Sequence, residues 1–448
     1  MIMSQAQWLI IAFLLLICLG TAGLLLPGMT VRGGVTVLDA CFTATSAVCV
    51  TGLTVVDTEL TLTFWGQLVI LILMQCGGIG IITIASSLIL SSHHRLSLEY
   101  EGMLNSTVAV SPHMTFRDIT SSVIRFTLII EGIGAVLLFS FWRSEDAFLT
   151  RCWYSLFHAV SAFCNAGFSV FSRNLEGYTR NYGVNLVIMG LIMLGGFGFV
   201  NLRELALKIR TNQFRWRYFS LFLKVSLMGT VGLNVVGTVV IFFADRHVAL
   251  SELPVFEQWC AAAFHAVSTR TAGFNTIPIA DFTELSLVVM IVYMFIGGIS
   301  GSCAGGVKVN SVVVMLGILR AYIGNNERPI LFNRRLSNVT QRKALTLVCC
   351  SLACIGFSVC AGYLTEGNLP GHTIRQPHFL AYLFEITSAS GTVGLSTGIT
   401  AGLTAMSKCL IIVLMFIGRL GPLVVISAGM GEPTPKPFTH PEESLPVG

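Results

Sequence analysis

The chain has 448 residues, of which 54% are hydrophobic and only 11% charged, and its mean hydropathy is +0.78. That composition excludes a soluble globular domain and calls for a bilayer. The formal net charge of +5 comes from basic residues gathered in particular loops, which marks membrane topology rather than nucleic-acid binding.

The first apolar stretch, residues 8–26, has no basic leader and no small-x-small cleavage site before Pro27, so a retained helix is expected. The amphipathic segment 39–49 is too short to span and reads as a re-entrant half-helix. Further apolar stretches lie at 64–92, 186–200, 219–243, 285–319, 344–363 and 408–428. They approach or exceed the ~20 residues that a helix needs to cross ~30 Å of hydrocarbon. The 13 cysteines are scattered through these stretches without C-x-x-C pairing, and Cys349, Cys350 and Cys354 share one predicted helix. Small core residues are therefore expected rather than zinc ligands.

Four related segments recur along the chain. Each places a Phe, then a Ser four residues on, then a Gly: Phe42, Ser46 and Gly52; Phe157, Ser161 and Gly167; Phe264, Ser268 and Gly273; Phe384, Ser388 and Gly394. The third copy is one residue shorter between Phe and Gly. Some 24 to 28 residues after each of these glycines comes a second related tetrad. These are Gly77-Gly78-Ile79-Gly80, Gly195-Gly196-Phe197-Gly198, Gly297-Gly298-Ile299-Ser300 and Gly418-Arg419-Leu420-Gly421. Two matches in one order make four tandem units the expected organisation: 1–92, 93–210, 211–320 and 321–430, followed by a tail, 431–448. Each unit reads as an apolar helix, a pore loop led by a half-helix, and a second apolar helix. The fold class expected is an all-α polytopic membrane protein with eight spanning helices and four re-entrant half-helices around a pseudo-fourfold pore.

Charge sets the expected orientation. One loop carries Arg203, Lys208, Arg210, Arg215, Arg217 and Lys224 against Glu204; another carries Arg320, Arg328, Arg334, Arg335, Arg342 and Lys343 against Glu327. By the positive-inside rule these loops and both termini are cytoplasmic. The segments beside the half-helices carry Asp57, Glu59, Glu145, Asp146, Glu252, Glu257, Asp281 and Glu284, and so face outward.

Four half-helices converging on an axis bring four C-terminal ends together, each with roughly half a negative charge, which favours a cation there. The residues that follow are Val50-Thr51-Gly52, Asn165-Ala166-Gly167, Thr271-Ala272-Gly273 and Thr392-Val393-Gly394. They are expected to run extended with carbonyls inward, replacing the hydration shell of a monovalent cation. The fourth copy has the Thr-Val-Gly order of potassium filters. For any one copy, ordinary packing of small residues is the favoured reading; four matched copies favour the pore.

In these motifs the sequence resembles the Trk/Ktr/HKT superfamily of potassium transporters over nearly its whole length, and most closely the KtrB-type membrane subunits of bacterial Ktr systems. The resemblance implies that Gly52, Gly167, Gly273 and Gly394 are filter glycines. In plant relatives a Ser at the first of these accompanies sodium permeation, so Gly52 implies potassium, while Asn165 departs from four identical strands and implies a less strict filter. The likeness further implies a cytoplasmic ring of KtrA-type subunits binding ATP or ADP on basic loops such as 203–217 and 328–343. A homodimer, sodium as an activator and a bacterial inner membrane are implied as well. Potassium at the filter is the transported ion, and no covalently bound cofactor is expected.

The stretch Gly297-Gly298-Ile299-Ser300-Gly301-Ser302-Cys303-Ala304-Gly305-Gly306 holds too many glycines for an uninterrupted helix. A phosphate loop is excluded by Val307, which separates the glycines from Lys308, and by the membrane setting. In the family it resembles, this stretch is a gate loop under the filter. Arg419 stands where the other tetrads have Gly78, Gly196 and Gly298. A mid-membrane arginine must face protein, water or a partner, so it is expected to reach gate-loop carbonyls or to act as a barrier to cations. Arg270 is expected to brace the third filter segment, and His158 and His265 to pack or hydrogen-bond rather than bind metal.

An enzyme is disfavoured because no Ser-His, paired-Asp or His-Glu-x-x-His arrangement stands out. An ion-coupled secondary K+/Na+ symporter remains the alternative, although its usual inverted repeats differ from four repeats in one sense. The proline-rich segment 433–437 closes the chain with no βαβ domain after it, so any nucleotide control is expected from a separate subunit.

Overall fold

A computed structural model of the chain describes residues 5–31, 34–80, 116–142, 147–325, 329–367, 379–422 and 425. Residues 81–92 and 426–428 of two expected spans, the unit boundaries at 92/93 and 430/431, Glu145, Asp146, Glu327, Arg328 and the segment 433–437 lie outside them.

The helices come in one recurring order. First are α1 (Gln5–Leu24), α2 (Val37–Val48) and α3 (Phe64–Ile79). Next are α4 (Phe116–Phe141), α5 (Phe148–Phe163), α6 (Tyr182–Gly196) and α7 (Phe199–Arg210). Then come α8 (Leu221–Asp245), α9 (Val255–Ser268), α10 (Glu284–Phe295) and α11 (Val309–Ile323), and last α12 (Asn338–Gly367), α13 (Phe379–Gly391) and α14 (Ala405–Leu420). The described strands form one small hairpin, β1 (Ile330–Leu331) with β2 (Arg334–Arg335), turned by Phe332 and Asn333, both at positive φ.

Helices α1, α4, α8 and α12 are long and apolar enough to cross a membrane, with hydropathy of 1.9 to 2.2 over windows that are only 17% to 28% buried inside the protein. Apolar surface left outside a core in runs of this length needs hydrocarbon around it. Helices α2, α5, α9 and α13 are shorter, and their C-terminal halves are almost wholly buried. Helices α3, α6, α10 and α14 each begin at a side-chain cap: Thr63, Asn181, Thr283 and Thr404 accept from the backbone N–H three residues on.

Two apolar stretches are broken, and the break in 285–319 falls where its glycines predict one. Residues 186–200 bend by 102° where α6 passes into α7. The cause is Gly198, held at φ 87° and ψ 134°, a conformation that side chains resist. Gly80 and Gly421, at φ 86° and 85°, end α3 and α14 in the same way. In the third set the tetrad ends in Ser300 instead, and the helix stops earlier, at Phe295, to resume at Val309.

Each motif Phe lies in the apolar core of the preceding set of helices. Phe157 packs with α1 to α3, Phe264 with α4 to α6, Phe384 with α8 to α10, and Phe42 with α12 to α14. All four are fully buried. The last contact closes the sequence of helices into a ring, and Lys408 pairs with Asp39 at 3.2 Å across the same junction.

The first glycine of three tetrads is dictated by close approach. A Cβ would lie 2.0 Å from the Val48 carbonyl oxygen at Gly77, 1.8 Å from that of Phe163 at Gly195, and 2.1 Å from that of Ser390 at Gly418. Each second helix thus lies directly against the end of a short helix. Gly195→Ala forces α6 away from α5 and is expected to destabilise the protein by about 1–3 kcal/mol. A thermal melt in detergent checks this, and an unchanged melting temperature would show that the contact yields freely.

Candidate functional site

The short helices α2, α5, α9 and α13 end at the four sequence-predicted segments, and the structure brings those segments together. A Cβ built on Gly52 would lie 2.4 Å from the Ala166 oxygen, on Gly167 2.8 Å from that of Ala272, on Gly273 2.6 Å from that of Val393, and on Gly394 2.1 Å from that of Thr51. The four glycines therefore form a closed ring, each with its neighbour's carbonyl where a side chain would start.

The segments do not run extended. Val50, Asn165, Thr271 and Thr392 have φ of 55°, 58°, 74° and 49°, and the four glycines have φ of 94°, 69°, 76° and 95°. Left-handed backbone at β-branched Val and Thr costs of order 1–3 kcal/mol each and persists only where surroundings over-determine it. The over-determination comes from the helix ends. Residues Val50, Asn165 and Thr392 donate to the carbonyls of Ala47, Ala162 and Ala389. The next residues, Thr51, Ala166 and Val393, donate to the carbonyls of Ser46, Ser161 and Ser388. Ala272 makes the equivalent bond to Ser268 with one residue fewer in the turn, which absorbs the shorter third copy.

The motif serines thus have roles that the spacing alone did not assign. Ser46 and Ser388 accept the N–H of Gly52 and Gly394 at 3.1 Å through their hydroxyls. Ser161 donates to the Phe168 carbonyl at 2.7 Å, and Ser268 to that of Phe274. Glu385, another residue without an assigned role, gathers Ser396, Thr397 and Thr400 behind the fourth segment. The hydroxyls of Thr51, Thr271 and Thr392 are buried without a partner among the described residues, so three hydroxyl oxygens remain uncommitted at the ring. The Asn165 amide nitrogen turns back to Ala162 and Ile192 at 3.0 and 3.2 Å, leaving backbone rather than side chain at the ring.

On one side of the ring the loop 296–308 fills the space among the tetrads. Ile299 and Cys303 donate to the carbonyls of Gly196 and Gly195, and Phe199 donates to that of Gly301. A Cβ on Gly305 would sit 1.9 Å from the Thr392 hydroxyl, so the loop lies directly against the fourth segment. Arg419 is half-buried and donates to the carbonyls of Cys303 and Gly77. Lys308 donates to Ala304 and Gly305 at 2.5 and 3.3 Å. The Cys303 thiol reaches Gly78 at 3.3 Å, and Asn310 reaches the Ser300 hydroxyl at 3.4 Å. Ser302 caps the turn inside the loop by donating to Ile299, while Gly297 and Gly298 carry the strand-like pairing with Val307 and Val309 that closes its neck. The buried Ala304 and the flanking Gly306 complete it.

Arg270 points away from the ring, towards Asn234 of α8 at 3.3 Å. His158 is bonded to Tyr154 and Ser169 and stacked on Phe171, and His265 is bonded to Ala261. Among the described residues no group of three or more His, Cys, Asp or Glu side chains could hold a metal ion.

The sequence matches the TrkH family, described as cation transport protein, over residues 3–433. The chain belongs to that family. It is a membrane protein of a transport family rather than an enzyme. It is 33% identical over 447 residues to Ktr system potassium uptake protein B of Vibrio alginolyticus, covering 99% of this chain and 95% of that one. The protein of the same name from Bacillus subtilis is 36% identical over 425 residues, with 94% and 92% covered. The potassium/sodium uptake protein NtpJ of Enterococcus hirae is 32% identical over 454 residues, with 100% and 98% covered. The crystal structure of the potassium transporter TrkH from Vibrio parahaemolyticus matches with a TM-score of 0.74 at 18% identity, covering 94% of this chain and 84% of that one, a likeness of fold.

For this TrkH-family chain the serine bonds have a measurable consequence. Ser388→Ala leaves the buried Gly394 N–H without its acceptor, a loss of about 1–3 kcal/mol. The expected readout is a lower melting temperature in detergent; an unaltered one would show that the hydroxyl does not hold the glycine.

Proposed function

We propose that this chain takes up potassium through a pore on the axis of the glycine ring. Residues 50–52, 165–167, 271–273 and 392–394 act as its selectivity filter, and the loop 297–306 with Arg419 acts as its gate. The observation that carries this reading is the closed ring itself, with backbone oxygens and uncommitted threonine hydroxyls gathered at one place in a cation-transport family. The names of the Vibrio and Bacillus relatives support potassium as the ion, and that of the Enterococcus relative supports a part for sodium.

In this reading four helix, pore loop, helix units, 1–92, 93–210, 211–320 and 321–430, surround the pore in pseudo-fourfold fashion. Eight helices span an inner membrane with both termini in the cytoplasm. A potassium ion sheds its water against the ring oxygens, which replace its hydration shell. The ends of α2, α5, α9 and α13 add negative potential at the same point. Beyond the filter the ion meets the gate loop. Arg419 and Lys308 hold that loop by donating to its carbonyls, so opening requires those donors to let go. The Ktr relatives' names imply other system components; a nucleotide-binding ring of KtrA type docked on the basic loops at 203–217 and 328–343 of a dimeric chain would supply the control.

The test is potassium and sodium uptake in potassium-depleted cells lacking their own uptake systems, with this chain alone and with a KtrA-type partner. Saturable potassium uptake raised by the partner is expected; an inserted chain that moves neither ion contradicts the reading. Deleting 299–305 is expected to raise the maximal rate several-fold with little change in apparent affinity, and an unchanged rate would remove the loop from gating.

A further inference from the structure

The ring is not symmetric on the face away from the gate loop. Asn174, seven residues beyond Gly167, places its amide nitrogen 3.4 Å from the Gly167 carbonyl oxygen and 3.3 Å from that of Gly273. One side chain thus bridges the terminal carbonyls of two adjacent filter segments. Among the described residues no side chain donates in this way to Gly52 or Gly394. The other amide atom, Oδ1, is buried and has no partner among the described residues.

The bridge is built rather than incidental. Asn174 sits at φ 51°, a left-handed conformation that asparagine tolerates better than most residues, and its N–H is held by the Phe171 carbonyl at 3.0 Å. The residues after it lock the same two segments together. Leu175 N–H donates to the Asn275 carbonyl at 3.1 Å, Thr179 to the Thr276 carbonyl at 2.6 Å, and the Asn275 amide to Glu176 at 2.9 Å. The loop that carries Asn174 is therefore fixed to both copies that its amide touches.

We infer that Asn174 is a positioning residue for ion selectivity: its amide holds the Gly167 and Gly273 carbonyls at the spacing of a potassium ion. The inference rests on the filter reading above. A carbonyl already accepting a hydrogen bond has part of its field engaged and resists swinging inward. The smaller sodium ion needs shorter contacts to a stronger field to repay its larger dehydration cost, so the bridge penalises sodium more than potassium. The same donation draws on two of the four ring carbonyls only, which makes the ion site two-sided, with one restrained half and one free half.

Glycine and aspartate test this without forcing the backbone. Asn174→Gly keeps the left-handed turn and removes the amide. Asn174→Asp keeps the shape but can only accept, so it releases both carbonyls and adds a strong-field oxygen beside them. The measurement is the ratio of radiolabelled rubidium to sodium uptake by the full chain with its partner in cells, beside melting temperature, with Gly52→Ser as the control for the filter itself. At least a fivefold fall in the ratio is expected in both Asn174 variants, larger for aspartate, with the protein still folded. A ratio unchanged in the Asn174 variants but lowered by Gly52→Ser overturns the inference and leaves Asn174 a loop brace. A ratio unchanged in all three overturns the filter reading on which it depends. If the glycine variant fails to fold, the aspartate variant decides alone.

Discussion

The approach of four glycines to one another constrains everything else in this structure. Each of Gly52, Gly167, Gly273 and Gly394 has the next segment's carbonyl oxygen at 2.1 to 2.8 Å from where a Cβ would be, and the fourth closes back on the first. Backbones can meet this closely only if each segment is held from behind, because the left-handed Val50, Asn165, Thr271 and Thr392 would otherwise relax. The motif serines and the ends of the short helices provide that hold. The motif phenylalanines pass it round the ring, each anchored in the core of the preceding set of helices.

The glycine ring and the loop, the proposed filter and gate, are mechanically one body. Gly305 abuts the Thr392 hydroxyl, and the loop's backbone is knitted to Gly195 and Gly196 of the second unit. The two cations at the loop sit in a family that moves cations, which is an expensive arrangement in a membrane unless their charge is matched by oxygens. Lys308 finds those oxygens in the loop's own carbonyls, and Arg419 in those of Cys303 in the loop and Gly77 beside it. Restraint of the loop and screening of the two charges are therefore the same set of hydrogen bonds, and a movement of the loop that breaks them exposes positive charge to the ion path. In the gating role proposed for the loop, that exposure gives its release an electrostatic cost.

Much of this was legible in the sequence. The Phe, Ser, Gly spacing was enough to align the four segments, because a ring of equivalent contacts demands equivalent residues at equivalent distances. The second glycine register was legible for the same reason, three of its four first glycines lying against a carbonyl at the end of a short helix. What escaped depends on partners far apart in the chain or on strain that composition disguises. Val and Thr in left-handed backbone could not be expected from their preferences, which is why the segments read as extended. Residues 186–200 read as one apolar stretch, and only the dihedral angles of Gly198 reveal the bend. With the phosphate loop excluded, the sequence assigned Lys308 no role, and its partners are carbonyls three and four residues before it. Asn174 and Glu385 belong to no motif, and only the fold brings them behind or above the ring.

The central claim is that the glycine ring binds the transported ion. Soaking the protein in rubidium or thallium and collecting anomalous diffraction tests it most directly, since these ions stand in for potassium and can be located by their scattering. The account predicts a peak on the axis, within coordinating distance of oxygens from all four segments and weakened when sodium replaces the heavy ion. A peak elsewhere, or none at the ring while the protein remains folded, would contradict it.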